Sequence, residues 1–214
     1  GDKDLPDDQA DFTVNPAKRS LLEYYKNNCI SYFVPAAFTA LAIFQCDAFQ
    51  FISTDLHISY RFLQDLFKYE FAYDIEQPRE FYVRKSIKAF IDDAVLMPHP
   101  TLPDTYNITS SGLRKLRLYA GFLKAYFEAY LVVLTQLSRQ KSSEVGYKEQ
   151  AKKFAAQGAR MLKRSEISCP EALSQVTFKN ALSFFNSRDI ECNEDEKEAR
   201  PYEDAIKRYL GLLS

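Results

Sequence analysis

Residues 27–46 run for 20 consecutive positions without a charged side chain, and a helix of that length and polarity has two physical homes, a protein interior or a bilayer interior. Length alone permits a span, since crossing the hydrocarbon core takes about 20 apolar residues. The contents favour protein. Asn27, Asn28, Ser31, Pro35, Thr39 and Gln45 interrupt the run, and its continuous apolar part is nearer to the length of a buried core helix. The expectation is a central helix pair, residues 21–33 and 36–51, kinked or broken at Pro35, whose ring removes a helical N–H donor and crowds the preceding turn. Asn15-Pro16 reads as an N-cap with proline at the first helical position. Phe38, Leu41 and Phe44 are then core residues.

A core that large suits the whole chain, which has 214 residues, 46% of them hydrophobic and 14% aromatic. The formal net charge of −1 gives no overall field toward nucleic acid or an anionic bilayer, so no nucleic-acid partner is expected. Cys29, Cys46, Cys169 and Cys192 show no Cys-x-x-Cys spacing, and two of them lie in the uncharged run, which reads as a reducing, cytoplasmic setting. Residues 1–14 carry five aspartates and little apolar material. They are expected to be a flexible acidic terminus ahead of one helical domain, 15–214.

Helical periodicity continues down the chain. Ser53-Thr54 is read as a cap for the stripe Leu56, Tyr60, Leu63, Phe67, Phe71, and Pro78 opens a helix with Val83, Ile87, Phe90 and Ala94 inward. The period then changes. Residues 95–97 and 106–109 flank the turn-rich Pro98-His99-Pro100-Thr101-Leu102-Pro103-Asp104, which predicts a β-hairpin arm and, with the two helices before it, a winged-helix-like unit. Leu113, Leu116, Ala120, Leu123, Phe127, Tyr130, Leu134 and Leu137 alternate spacings of three and four, predicting one long helix over 111–138 that is either core or a dimer seam. Beyond it, Ala151, Phe154, Gly158 and Met161 stripe a helix over 144–163, and Cys169-Pro170 starts another with Leu173, Val176 and Leu182 inward. The acidic run 191–198 reads as a loop, and Pro201 begins a closing amphipathic helix. Residues 85–96 can be laid on 179–190 without a gap, suggesting pseudo-repeat units at 53–110 and 144–190. The fold class is therefore all-α: about seven to eight helices with a small β-hairpin arm, two winged-helix-like units around a long central helix.

No catalytic, cofactor-binding or metal-ligating residue is assigned. His99 and Asp104 match the bare His-x-x-x-x-Asp spacing in which a carboxylate orients a histidine base, but two prolines lie between them and the reading is an exposed turn. His57 reads as a surface or partly packed residue. Asp92-Asp93 and Glu194-Asp195-Glu196 have no histidine or cysteine at metal spacing, so they read as helix-end and loop charges. Arg79, Arg84, Lys85 and Lys88 stand where a winged helix would read DNA, diluted by Glu76, Glu80, Asp92 and Asp93.

Leu22-Glu23-Tyr24-Tyr25-Lys26-Asn27-Asn28, followed by Ile30-Ser31-Tyr32-Phe33-Val34-Pro35-Ala36-Ala37, resembles the start of the C-terminal region of membrane-associated glycerol-3-phosphate acyltransferases. The likeness continues at Tyr60-Arg61-Phe62-Leu63, Leu66-Phe67 and Glu70-Phe71, then at Tyr126-Phe127-Glu128-Ala129-Tyr130, and ends at Ser168-Cys169-Pro170-Glu171 and Phe178-Lys179-Asn180-Ala181-Leu182. It covers about residues 21–213. These are packing signatures. The family's catalytic blocks, an upstream His-x-x-x-x-Asp among them, have no counterpart in this sequence. The resemblance implies a non-catalytic C-terminal domain that packs against and supports an acyltransferase domain of the same parent, which transfers a fatty acyl group to the sn-1 hydroxyl of glycerol 3-phosphate in phospholipid synthesis. It implies no cofactor, and a parent held at the cytoplasmic side of an inner membrane. Two other readings stay open, a winged-helix DNA-binding regulator and a helical scaffold that dimerises through Leu113 to Leu137.

Overall fold

Pro35 does not break the first helix. The computed structural model describes residues 19–71, 77–140, 146–192 and 195–214, and in it α1 runs continuously through the proline, Arg19–Gln45. Proline inside a helix costs about 3 kcal/mol. Burial offsets that cost: Val34, Phe38, Leu41 and Ile43 are all enclosed, each worth about 1.5–3 kcal/mol. Thr39 Oγ1 also donates to the Pro35 carbonyl at 2.8 Å. The expected acidic tail and the Asn15-Pro16 cap lie outside the described residues.

The second expected helix, residues 36–51, is merged into α1 and ends early, at Gln45. Asp47, with φ 49°, turns the chain out of α1, and residues read as helix become strand β1, Gln50–Ile52. Beyond it a short 3-10 turn leads into α2, Leu56–Leu66, with α3 at Arg79–Asp92, β2 at Leu96–Pro98 and β3 at Thr105–Ile108. The expected hairpin, β2 and β3, thus supplies two strands of a three-stranded antiparallel sheet with order β1-β3-β2. Phe51 stands opposite Tyr106 in the register, and their rings lie 5.9 Å apart. A short apolar run such as Gln50-Phe51-Ile52 suits either helix or strand until a neighbour supplies the ladder. Phe44, half-buried, and the fully buried Phe38 and Leu41 are core as expected.

Ala94, expected inward, is exposed and left-handed at φ 54°. It closes α3 with a C-terminal cap in which Val95 N donates to Phe90 O at 2.7 Å. Asp189 closes the helix α7, Gln175–Asn186, in the same way, Ile190 N donating to Phe185 O at 3.0 Å. The gap-free overlay sets Ala94 opposite Arg188, so it is one residue out at this cap.

The long helix is bent by 47° into α4, Gly112–Gly121, and α5, Leu123–Leu137. Each half has a different client. α4 packs on α1, whereas α5 packs on α6 (Tyr147–Lys163), α7 and α8 (Glu196–Leu212). Gly121, which stabilises a helix about 1 kcal/mol less than alanine, sits at the bend. Gly112 at the start of α4 has no room for a side chain: a Cβ would meet the Val95 carbonyl oxygen at 2.2 Å. The seam residues Leu116, Leu123, Phe127, Tyr130 and Leu134 are fully enclosed within the chain, so the seam is core and the dimer reading built on it is set aside.

Three smaller expectations also change. Pro170 begins a 3-10 turn, Pro170–Leu173, and α7 starts after it, where Ser174 Oγ accepts from Thr177 N at 3.3 Å. Val176 is 69% exposed instead of inward. α8 begins within the acidic run, Glu196 and Glu198 in its first turn complementing the helix dipole, and Pro201 lies inside it.

Eight helices and the small sheet, counted among the described residues, make an all-α bundle. α1 gathers α2, α3 and α4, and α5 gathers α6, α7 and α8. Phe67, in the turn after α2, joins the two groups through rings 6.0 Å away at Phe38, 4.9 Å at Phe127 and 5.1 Å at Tyr130. Among the described residues no single helix is long and apolar enough to cross a membrane.

Candidate functional site

Two acidic side chains occupy interior positions that cost free energy unless satisfied, and they are the most unusual chemistry in the fold. Glu70 arrives at its place because α2 stops at Leu66. The turn that follows, closed by Glu70 N to Phe67 O at 2.9 Å, sends Phe67 and Phe71 into the core. Glu70 is left on the wall of a cleft of 380 Å³, shared with Phe71, Phe122, Tyr126, Thr177 and Asn180. Its Oε2 accepts from Asn180 Nδ2 at 3.0 Å. Burial pushes the carboxyl up to about 7, against hydrogen bonds from Asn180 and Tyr130 that favour its charged form.

That shift sets a pH dependence. Because the folded-state value lies above the ordinary one, the folded chain binds the proton more tightly than the unfolded chain. The resulting stabilisation is fully present below about pH 4.5 and is lost as pH rises through about 7. Glu70→Gln should therefore be more stable than the parent sequence above neutrality, by an amount on the order of 2–3 kcal/mol, with the difference fading toward pH 5. Urea midpoints of both proteins across that range check it. A constant offset at every pH would show that Glu70 titrates normally.

Glu128 lies on α5 and is 2% exposed. Its Oε1 accepts from Ser168 N at 2.9 Å and Ser168 Oγ at 3.0 Å, and its Oε2 accepts from Cys169 N at 2.7 Å. One carboxylate thus ties the segment between α6 and α7 to the centre of the bundle. Burial raises the neighbouring Cys169 thiol, and the Glu128 charge adds to the effect, which keeps the sulfur protonated and a weak nucleophile. Both glutamates fell within recognised stretches without being singled out. A signal for Glu128 existed, a lone carboxylate inside the apolar run 125–134.

The residues picked out from sequence are dispersed. His99 Nδ1 accepts from Thr101 N at 3.3 Å and Leu102 N at 3.1 Å, so the ring holds its own turn. Asp104 is exposed with φ 51°, its carbonyl accepting from Ser53 N at 3.0 Å. His57 is half-buried near the start of α2. Asp92 pairs with Lys88 at 2.9 Å, and Asp93 accepts from Tyr119 Oη at 2.9 Å. Asp195 Oδ2 accepts from Glu191 N and Cys192 N, Glu196 opens α8, and Glu194 and Glu76 lie outside the described residues. On α3, Arg79 Nε donates to Gln64 at 2.8 Å and Lys85 lies over the Phe81 ring at 6.0 Å, while Arg84 and Glu80 are exposed. Cys46, Cys169 and Cys192 are free thiols. Among the described residues no group of three potential ligands is placed to hold a metal ion.

Comparison with known proteins gives one family and two relatives. The family described as glycerol-3-phosphate acyltransferase C-terminal region matches residues 3–193. A dihydroxyacetone phosphate acyltransferase from Oryctolagus cuniculus is 25% identical over 168 residues, covering 75% of this chain and 23% of the relative. The protein of the same name from Homo sapiens is 26% identical over 167 residues, covering 74% and 22%. The chain thus spans less than a quarter of the length of these relatives. No solved structure matches.

Proposed function

This chain belongs to the family of glycerol-3-phosphate acyltransferase C-terminal regions, and from that membership we propose that it serves as a non-catalytic helical domain, packing against and supporting an acyltransferase domain of the same parent. The observation that carries the reading is the family match across residues 3–193. Surface chemistry supports it too. Val34 and residues 37–43 of α1 are buried, yet Tyr32 and Phe33 just before are 84% and 54% exposed, and an aromatic pair of that kind suits a domain contact. The parent's work is fatty acyl transfer to a small phosphorylated three-carbon alcohol, as a step of phospholipid synthesis at the cytoplasmic side of a membrane.

Glycerol 3-phosphate is the acceptor named by the family, and dihydroxyacetone phosphate is the acceptor named by the two relatives, so the second is the competing reading. Acyl-transfer assays with a long-chain acyl thioester and each acceptor test both. The parent protein is expected to turn over and this chain alone to give none, while removing the region from the parent lowers both activity and melting temperature. Turnover by the isolated chain, or a truncated parent with full activity and unchanged melting, overturns the proposal.

A further inference from the structure

Three arginines from separate parts of the fold converge on one surface hollow away from the Glu70 cleft. Its volume is 340 Å³, and its walls are Ile58, Arg61, Phe62 and Asp65 from α2, Arg79 from the first turn of α3 and Arg188 from the turn after α7. Three guanidinium groups therefore face one carboxylate. Asp65 is already taken by the Arg188 guanidinium in an ion pair, which leaves Arg61 and Arg79 uncompensated by any carboxylate lining the hollow. Arg79 uses Nε on Gln64 at 2.8 Å, and its two terminal nitrogens remain as donors. Arg188 is held by more than its ion pair, since its guanidinium also lies over the Phe184 ring at 5.6 Å. Its Nε is buried and has no hydrogen-bond partner, an arrangement that costs free energy unless an acceptor reaches it.

We propose that this hollow is a phosphate-binding site, taking a phosphate group attached to a small organic body. Guanidinium forks match the oxygens of a phosphate two at a time, and arginine tolerates partial desolvation better than lysine. Forks approaching from three elements suit a tetrahedral oxyanion. Ile58, 82% exposed at the rim, and the half-buried Phe62 supply apolar surface for the organic part. The group can come from a soluble phosphomonoester or from an anionic phospholipid headgroup, and the site goes beyond the packing role because it needs no acyltransferase domain.

Arg61→Gln is the informative variant, because Arg61 is exposed and makes no hydrogen bond or ion pair among the described residues, so folding does not depend on it. Arg164→Gln, at the end of α6 beside Glu166, changes the net charge equally and lies off the hollow. Arginine Nε–H resonances are followed during titration with inorganic phosphate and with glycerol 3-phosphate, and sedimentation is measured with phosphatidylcholine vesicles with and without phosphatidic acid. Binding is expected to weaken roughly tenfold in Arg61→Gln and to stay unchanged in Arg164→Gln. Saturation by a soluble probe identifies a free phosphomonoester, and binding confined to phosphatidic acid vesicles identifies a headgroup. No response to any probe, or equal weakening in both variants, overturns the site.

Discussion

Phe67→Ala should lower the stability of the chain by about 4 kcal/mol, the cost of emptying a phenylalanine-sized space in a packed core. Phe67 is fully buried, and its ring meets Phe38, Phe71, Tyr126, Phe127 and Tyr130 at centroid distances between 4.9 and 6.3 Å. It lies in a turn after α2, so helix propensity contributes nothing to the loss. The ring is where the α1 group of helices and the α5 group meet. Phe67→Leu keeps much of the volume and should lose about half as much, because the edge-to-face contacts with Phe127 and Tyr130 go while burial largely stays. Urea denaturation measures both. A loss below about 1 kcal/mol in the alanine variant would mean that the two groups hold together without this ring.

Glu128→Ala should cost about 3 kcal/mol, less than the phenylalanine but by a different physics. The substitution removes one buried carboxylate and strands two backbone N–H donors, those of Ser168 and Cys169. Ser168 is exposed, so water can satisfy part of that loss and keeps the figure from rising further. Glu128→Gln retains one acceptor oxygen and should fall between the alanine variant and the parent sequence. Hydrogen exchange adds a local reading. The Ser168 and Cys169 amides should lose protection in Glu128→Ala while the amides at the centre of α5 keep it. If stability is unchanged and the two amides stay protected, the carboxylate does not tie this segment down.

Both residues show how far a sequence can be read. The stripe Leu56, Tyr60, Leu63, Phe67, Phe71 predicted that Phe67 is inward, and all five are buried. It could not show that the helix ends at Leu66 and that Phe67 and Phe71 are delivered by a turn. Glu128 was legible as an oddity, a charge within an apolar run, but its partners lie 40 and 41 positions away. Glu70 carried no comparable signal, since its environment is made by Asn180, 110 positions later.

Composition, periodicity and ordered resemblance determined that this is an all-α chain with a large apolar core, that its helices fall roughly where their stripes place them, and to which family it belongs. Those properties are local or cumulative, so they survive without knowledge of which element meets which. Tertiary structure alone decided the rest. It carried α1 through Pro35, turned Gln50-Phe51-Ile52 into a strand by offering β3 as a neighbour, bent the 111–138 helix at Gly121 so that its halves could pack on different partners, and gathered Arg61, Arg79 and Arg188 around one hollow. The physical reason is common to all four. Each local preference is worth about 3 kcal/mol or less, and the burial gained when distant segments pack exceeds it.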